Sequence, residues 1–359
     1  MSKNIVFCAD GTWNGPGQDL EGNAVTCSPT NVLKLYHWLD GKDTLETLGL
    51  PGEAERILRG ADGAVTQVAK YLDGVGYADN WLVRILGGVF GSGIIARIVR
   101  GYTFISRYYE DGDRIFIIGF SRGAYTARSL AGMILDVGLL ADQDQLADKE
   151  TAYRLGCAMW NQHRKHPRME AARHDVFGSM RDLLVDLPNF FSSPAPDSKV
   201  VHVPGIEAVA VWDTVGALGI PQYNRLGDRL DAFKFCNNRL DARIRLGLHA
   251  IADDEERQDF DPTLWDTADN VLQRRFRGAH GDVGGGYSLT VDGSGLSDIA
   301  LLWMQRQLSE KLLFGSRPEG IHPDPTIRIH EPWKEVPFCS LGVARRDFRH
   351  RPDIPFADG

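Results

Sequence analysis

The chain has 359 residues, 43% of them apolar and 25% charged, and a formal net charge of −8, values that suit one large α/β domain with insertions or two small ones. The acidic balance, with arginines scattered rather than gathered into a stripe, speaks against nucleic acid or an anionic membrane as a charge-driven partner. Five cysteines, odd in number and without a CxxC, speak against a disulfide framework or a cysteine-built zinc site, and reduced thiols fit a cytosolic origin.

Met1-Ser2-Lys3-Asn4 leads directly into an apolar strand, Ile5 to Cys8, without the apolar core and cleavage site of a signal peptide. That strand stops at Asp10-Gly11-Thr12-Trp13-Asn14. A helical stretch, Thr30 to Leu39, follows, and Gln67 to Tyr77 reads as a further strand. Trp81 to Val99 is the most apolar region, but Arg84, Arg97 and its glycines argue against a membrane span. The reading is a chain that is cytoplasmic as synthesised. Within this region Gly87-Gly88-Val89-Phe90-Gly91-Ser92-Gly93 precedes a helix, Ile94 to Tyr109, and resembles a phosphate-cradling loop. It completes neither G-x-G-x-x-G, since residue 96 is Ala, nor G-x-x-x-x-G-K-[ST], since it has no Lys. It reads as a close-packed loop at a pocket rim.

Residues 114–128 carry the most information. Ile115 to Ile118 form an unbroken apolar run, the pattern of a strand buried on both faces of a parallel sheet. Gly119-Phe120-Ser121-Arg122-Gly123 follows, a G-x-S-x-G, and then a helical stretch from Ala124 to Val137. Strand, tight turn and helix are the context of a nucleophile elbow, in which the turn strains Ser121 and lifts its hydroxyl above the sheet. Gly119 and Gly123 are small because helix and strand pass close to the serine.

Residues 139–204 break the strand–helix rhythm with a polar helical stretch, Ala147 to His163, the pair Phe190-Phe191 and a Pro-rich loop; they read as a cap inserted after the nucleophile helix. Ile206 to Trp212 is the next buried strand, ending at Asp213. Gln273 to Arg277 is another, ending less clearly at Gly278-Ala279-His280-Gly281-Asp282, and Leu296 to Leu313 is helical. Residues 318–359 hold 7 of the 17 prolines and read as an irregular surface wrap. The expected fold is α/β, α/β-hydrolase-like: a single domain with a mostly parallel central sheet, helices on both faces, and ligands at the carboxyl ends of the strands.

A serine nucleophile needs a base, an orienting acid and an oxyanion hole, and on this scaffold the chain order is Ser, Asp or Glu, His. Five histidines follow a plausible acid: His249, His280, His322, His330 and His350. His280 is favoured because small neighbours, Gly278, Ala279, Gly281 and Gly284 to Gly286, let its loop fold over the elbow. Asp213 is the favoured acid, with Asp253, Asp254 and Asp282 as rivals. The Arg122 N–H, next to the nucleophile, is one expected oxyanion donor, and Gly11 with Thr12 supplies the second. Asp10 reads mainly as a turn stabiliser.

With these segments in view the chain resembles the catalytic domain of type VI secretion lipase effectors, also catalogued as domain of unknown function 2235. The stretches that carry the resemblance are Phe7 to Asn14, Thr30 to Lys34, Gly119 to Arg128, Val211 to Gly216, His249 to Glu255 and Gly278 to Tyr287. The resemblance implies an α/β-hydrolase fold, hydrolysis of phospholipid acyl esters, export by a type VI system, and a triad of Ser121, Asp213 and His280. No cofactor is needed for that chemistry and no metal site is assigned. The partners are an ester or phospholipid substrate and, through it, a transient membrane contact. Immunity and secretion partners, acyl chain and oligomeric state are not readable from the sequence. Two rival readings stand beside it. One is a metal-dependent phosphohydrolase in which Asp10, Asp213, His280 and Asp282 converge as ligands; the other is a non-catalytic binding domain on the same fold.

Overall fold

The computed structural model describes residues 2–11, 17–18, 24–25, 28–44, 52–74, 90–165, 199–215, 222–223, 229–230, 238–287, 293–334 and 342–357. Its centre is an eight-stranded sheet made of β1 (Asn4–Ala9), β2 (Lys42–Asp43), β3 (Glu53–Arg59), β4 (Val65–Leu72), β5 (Arg114–Phe120), β6 (Ile206–Trp212), β7 (Ile244–Ala252) and β8 (Val271–Phe276). The spatial order is β8-β7-β6-β5-β1-β4-β3-β2. The six strands from β8 to β4 run parallel, and β3 and β2 add an antiparallel edge.

Strands β1, β5 and β6 are apolar but for Asn4, Arg114 and Glu207 near their starts, because both sides of the sheet are covered. Ile5, Phe7, Ile115, Ile117, Val209 and Val211 enter one core, shared with residues of α2 (Phe90–Tyr108), α3 (Arg122–Val137) and α5 (Lys149–Arg164). Val6, Cys8, Phe116, Ile118, Ala208 and Ala210 enter the other, shared with α1 (Asn31–Trp38) and α7 (Gly295–Leu308). Alternate residues of one strand thus feed opposite cores, as the two-residue period of a strand requires.

The chain leaves β1 towards β4 on one side, then returns to lay β5 on the other. Strand order reverses at β1, and the crevice beyond the carboxyl ends of β1 and β5 is where such a sheet binds ligands. Ala9 and Gly119 pair there, so Asp10 and Ser121 follow from adjacent strand ends.

Three strands were not expected. β7 carries Arg245, Gly247 and His249, which interrupt its apolar run; β3 is a charged strand, EAERILR, next to the sheet edge; and β2 is a two-residue edge, Lys42–Asp43. Of the segment 139–204, the described ends meet in a two-residue ribbon, Leu139–Leu140 against Val200–Val201. Its α4 (Gln143–Ala147) and α5 bury Leu146, Leu155, Met159 and Trp160 in the α2/α3 core. Phe190 and Phe191 lie outside the described residues, as do Gly87 and Gly88 of the glycine-rich loop. The described part of 318–357 holds one 3₁₀ turn, Pro332–Lys334, in otherwise irregular chain.

Candidate active site

Ser121 joins β5 to α3 with φ of 57°, a left-handed conformation that costs a non-glycine residue about 1–3 kcal/mol. Its N–H donates to the Trp212 carbonyl at 3.1 Å, tying the turn to the end of β6. The motif glycines are sterically required. A Cβ on Gly119 would stand 2.3 Å from the Gly123 carbonyl oxygen, and one on Gly123 would stand 2.1 Å from that of Ala9. Helix and two strands meet at backbone contact, and this closeness holds the serine at the crevice.

Asp213 follows β6 directly, also at positive φ (35°) and fully buried. Its Oδ2 faces His280 Nδ1 at 2.6 Å, and its Oδ1 accepts from the Ala252 N–H at 3.0 Å. Arg346 closes on the same carboxylate with both arms of its guanidinium, Nη1 to Oδ1 at 2.7 Å and Nη2 to Oδ2 at 3.0 Å. Burial works against the Asp213 charge, but Arg346 and then His280 outweigh it and hold the carboxyl well below the usual carboxylate range.

His280 opens α6 (His280–Gly284). Its backbone N–H donates to Glu255 Oε2 at 3.1 Å, and Glu255 is itself gripped by Arg257 through Nε at 2.9 Å and Nη2 at 2.8 Å. The ring lies between Phe120, 4.6 Å away between centroids, and Phe260, 5.0 Å away edge-on. With Nδ1–H assigned to the carboxylate, Nε2 is the nitrogen left to act as base. Burial pushes the imidazole pKa down, against the opposing pull of Asp213, so the ring is neutral and ready to accept a proton.

The rival residues have other partners. Asp253 pairs with Arg275 Nη1 at 3.0 Å, and Asp254 Oδ2 accepts from the Gly278 N–H at 2.8 Å. Asp282 accepts from the Ala279 N–H at 2.9 Å and faces His330 Nδ1 at 2.6 Å, the His330 ring being stacked on Tyr287. His249 is buried behind Asp213: its Nε2 accepts from the Thr214 N–H at 3.1 Å, and its Nδ1 faces Gln273 Oε1 at 3.3 Å. His322 donates its backbone N–H to Asp298, and His350 is exposed. Asp10, Asp213 with His280, and Asp282 therefore form three separate groupings rather than one ligand set. Among the described residues no three His, Cys, Asp or Glu side chains gather as a metal would need.

Asp10 is the turn-holder of the first strand end. Its Oδ1 accepts from the Gly11 N–H at 2.6 Å, and its Oδ2 from the Thr30 and Tyr71 hydroxyls, each at 2.6 Å. Arg97 donates to the Asp10 carbonyl at 2.9 Å. Burial raises Asp10 to about 6, with Thr30, Tyr71 and Gly11 pulling the other way. The Gly11 N–H, expected to face the oxyanion, is thus engaged by Asp10 Oδ1. Thr12 lies outside the described residues. Arg122 is the first residue of α3, where N–H groups have no acceptor within the helix.

Four supports of this site, Phe120, Glu255, Phe260 and Arg346, were not among the residues expected from the sequence. Glu255 lies in one of the stretches that carry the family resemblance, and Phe120 is inside the G-x-S-x-G; both were open to notice. Arg346 stands in Arg345-Arg346, beyond every motif, and nothing local marks it.

The family described as "T6SS, Phospholipase effector Tle1-like, catalytic domain" matches residues 3–307, a span that contains Ser121, Asp213 and His280 but not Arg346. Over 141 residues the chain is 38% identical to the uncharacterized protein YEL023C of Saccharomyces cerevisiae, which involves 39% of this chain and 18% of that protein. Two solved structures are similar at low identity. One is the crystal structure of an uncharacterized protein from Pseudomonas aeruginosa, at 18% identity and a TM-score of 0.46, covering 90% of this chain and 48% of that one. The other is the Tle1 effector bound to the VgrG spike of the type 6 secretion system, at 16% identity and 0.39, covering 80% of this chain and 51% of that one. The chain spans about half the length of either structure and a smaller share of the yeast protein.

Proposed function

The chain belongs to the Tle1-like catalytic-domain family of type VI secretion phospholipase effectors, and from that premise we propose that it is a serine hydrolase cleaving acyl esters of phospholipids. The observation that carries this reading is the 2.6 Å pair of His280 Nδ1 and Asp213 Oδ2 beside the strained elbow of Ser121.

Ser121 Oγ attacks the acyl carbonyl while His280 Nε2 takes its proton, and Asp213 stabilises the imidazolium that forms. The tetrahedral oxyanion is met by the Arg122 N–H at the start of α3 and by a second donor from the loop after β1. With Gly11 turned to Asp10, Thr12 is the better candidate for that donor. Collapse forms the acyl-Ser121 ester and expels the lysophospholipid alcohol, which takes the proton back from His280. Water, activated by the same imidazole, then releases the fatty acid. The steps need no cofactor. Residues 139–204 are read as the insertion that shapes the acyl pocket, with membrane contact made through the substrate.

The test is a fluorophosphonate probe together with hydrolysis of phosphatidylglycerol or phosphatidylethanolamine vesicles, with and without EDTA. Labelling and hydrolysis should both vanish in Ser121→Ala, and EDTA should change neither. Vesicle hydrolysis that survives Ser121→Ala and is lost with EDTA would point instead to the phosphohydrolase reading. A chain that neither labels nor turns over would point to a binding domain.

A further inference from the structure

Arg346 stands outside the matched family span, 133 residues along the chain from Asp213, yet it makes the densest set of contacts with the acid. Besides its two bonds to the carboxylate, Nη1 donates to the Ala252 carbonyl at 2.6 Å and Nη2 to that of Phe260. Its side chain is only 3% exposed. The segment that carries it is pinned at both ends. Gln258 N–H donates to the Gly342 carbonyl at 3.0 Å and Ala344 N–H to that of Glu256 at 2.8 Å. Further on, Arg275 N–H donates to the Pro355 carbonyl at 3.0 Å and Ala357 N–H to that of Arg275 at 2.8 Å. Residues 342–357 thus form a strap from the Glu255–Phe260 loop to the edge strand β8, with Arg346 driven inward from its first part.

We propose that Arg346 is a positioning residue of the Ser121–His280–Asp213 triad, delivered by this strap to lock the Asp213 carboxylate and cancel part of its charge. The proposal rests on the triad reading given above.

Two physical effects follow. A bidentate fork engages both carboxylate oxygens, so the carboxylate cannot rotate without losing two charge-assisted bonds, and Oδ2 stays on His280. The guanidinium also opposes the positive charge that His280 acquires when it takes the serine proton. Asp213 and Glu255 favour the imidazolium and Arg257 disfavours it; Arg346, whose Nη2 shares Asp213 Oδ2 with His280 Nδ1, sets a further positive charge close to the ring. Asp261 acts on Arg346 from the neighbouring loop, and His249 feels Arg128, Asp213 and Arg346 together. The strap therefore sets the basicity of His280 as well as its orientation.

The test compares the 359-residue chain with its Arg346→Gln and Arg346→Lys variants. One readout is the titration of His280, followed by NMR of ring-labelled histidine and assigned with His280→Gln; the other is the pH dependence of kcat/KM on a short p-nitrophenyl ester. In Arg346→Gln the His280 titration and the acid limb should move together to higher pH by about one unit, since a nearby like charge has gone. Its kcat should fall roughly 10- to 100-fold from lost alignment, with KM little changed. Arg346→Lys should keep the limb near its wild-type position and recover part of kcat. Identical His280 titrations in all three proteins, with activity following only the folded fraction, would overturn the proposal. If Arg346→Gln gives no cooperative melt, Arg346→Lys carries the comparison, and wild-type kcat in that variant would overturn it. The titration needs no turnover. A shifted titration without ester hydrolysis sinks the hydrolase reading and spares the role of Arg346, whereas hydrolysis with an unshifted titration does the reverse.

Discussion

The imidazole of His280 rests on the ring of Phe120, with centroids 4.6 Å apart and planes inclined by 32°. His280 is therefore seated on the residue directly before Ser121, and the two cannot drift independently. Phe120 also meets Gly284, on the short helix that His280 begins: a Cβ there would stand 1.9 Å from the Phe120 ring. Base, seat and helix form one packed unit.

Gly284→Ala should therefore act on catalysis through packing. The added methyl must displace the Phe120 ring or α6, and overpacking of this kind costs about 1–3 kcal/mol. Either movement shifts His280 relative to Ser121, for which a displacement of order 1 Å can cost ~10² in rate. The expected outcome is a protein that still melts cooperatively, with kcat down by one to two orders of magnitude. A Gly284→Ala enzyme with wild-type kcat would show that the ring contact carries no alignment.

Asp213→Asn should lower kcat by about 10⁴, because an amide at this position favours the wrong imidazole tautomer. It also leaves Arg346 buried against a neutral group, so a lower melting temperature should accompany the loss. Asp253→Asn removes only the pairing with Arg275 and should leave kcat within a few-fold of wild type, the usual range for a partly exposed ion pair. The reverse order of effects would move the acid from Asp213 to Asp253.

The parts legible in the sequence are those whose cause is local. The elbow was readable because the apolar run of β5, two obligatory glycines and the following helix are contiguous. Asp213 was expected because it directly follows the apolar run of β6, and His280 because it sits among glycines a few residues past β8. β7 was not, since Gly247 and His249 break its apolar pattern for reasons found elsewhere: Gly247 makes room for Leu240, and His249 supports Thr214. Arg346 reaches Asp213 only through the path of the strap, and no spacing rule encodes that. The role expected of the Gly11 N–H did not allow for the carboxylate beside it, whose Oδ1 accepts from that same amide at 2.6 Å.

Tyr71→Phe tests whether Asp10 holds the turn at the end of β1 as a charged group. Burial raises the folded-state pKa of Asp10 to about 6, above an unfolded value of about 3.9. Its contribution to stability is then fully present below the unfolded value and lost as pH rises through about 6. Ionised Asp10 depends on its three donors, and removing one should cost about 1–3 kcal/mol at pH 7. At pH 4.5 the protonated carboxyl needs fewer donors, and the cost should be smaller. Urea denaturation at the two pH values, with kcat measured alongside, checks this; equal costs at both would mean that Tyr71 does not serve the Asp10 charge.

His249 should make the protein sensitive to acid. Burial first, and then Arg128, push its imidazole down to about 3 in the folded state, against about 6.5 in the unfolded chain. A histidine whose folded pKa is depressed contributes stability that is complete above the unfolded value and drains away as pH falls towards the folded one. The slope approaches ~1.4 kcal/mol per pH unit in that window. His280, lowered in the same direction, adds to the loss, whereas Asp10 partly offsets it between about 4 and 6, so the wild-type curve is the sum of opposed terms. His249→Gln can still offer an oxygen to the Thr214 N–H but takes up no proton. The variant should start less stable than wild type at pH 7 and lose stability less steeply down to pH 4. Parallel urea midpoints across that range would mean that His249 is not the group taking up the proton when the chain unfolds.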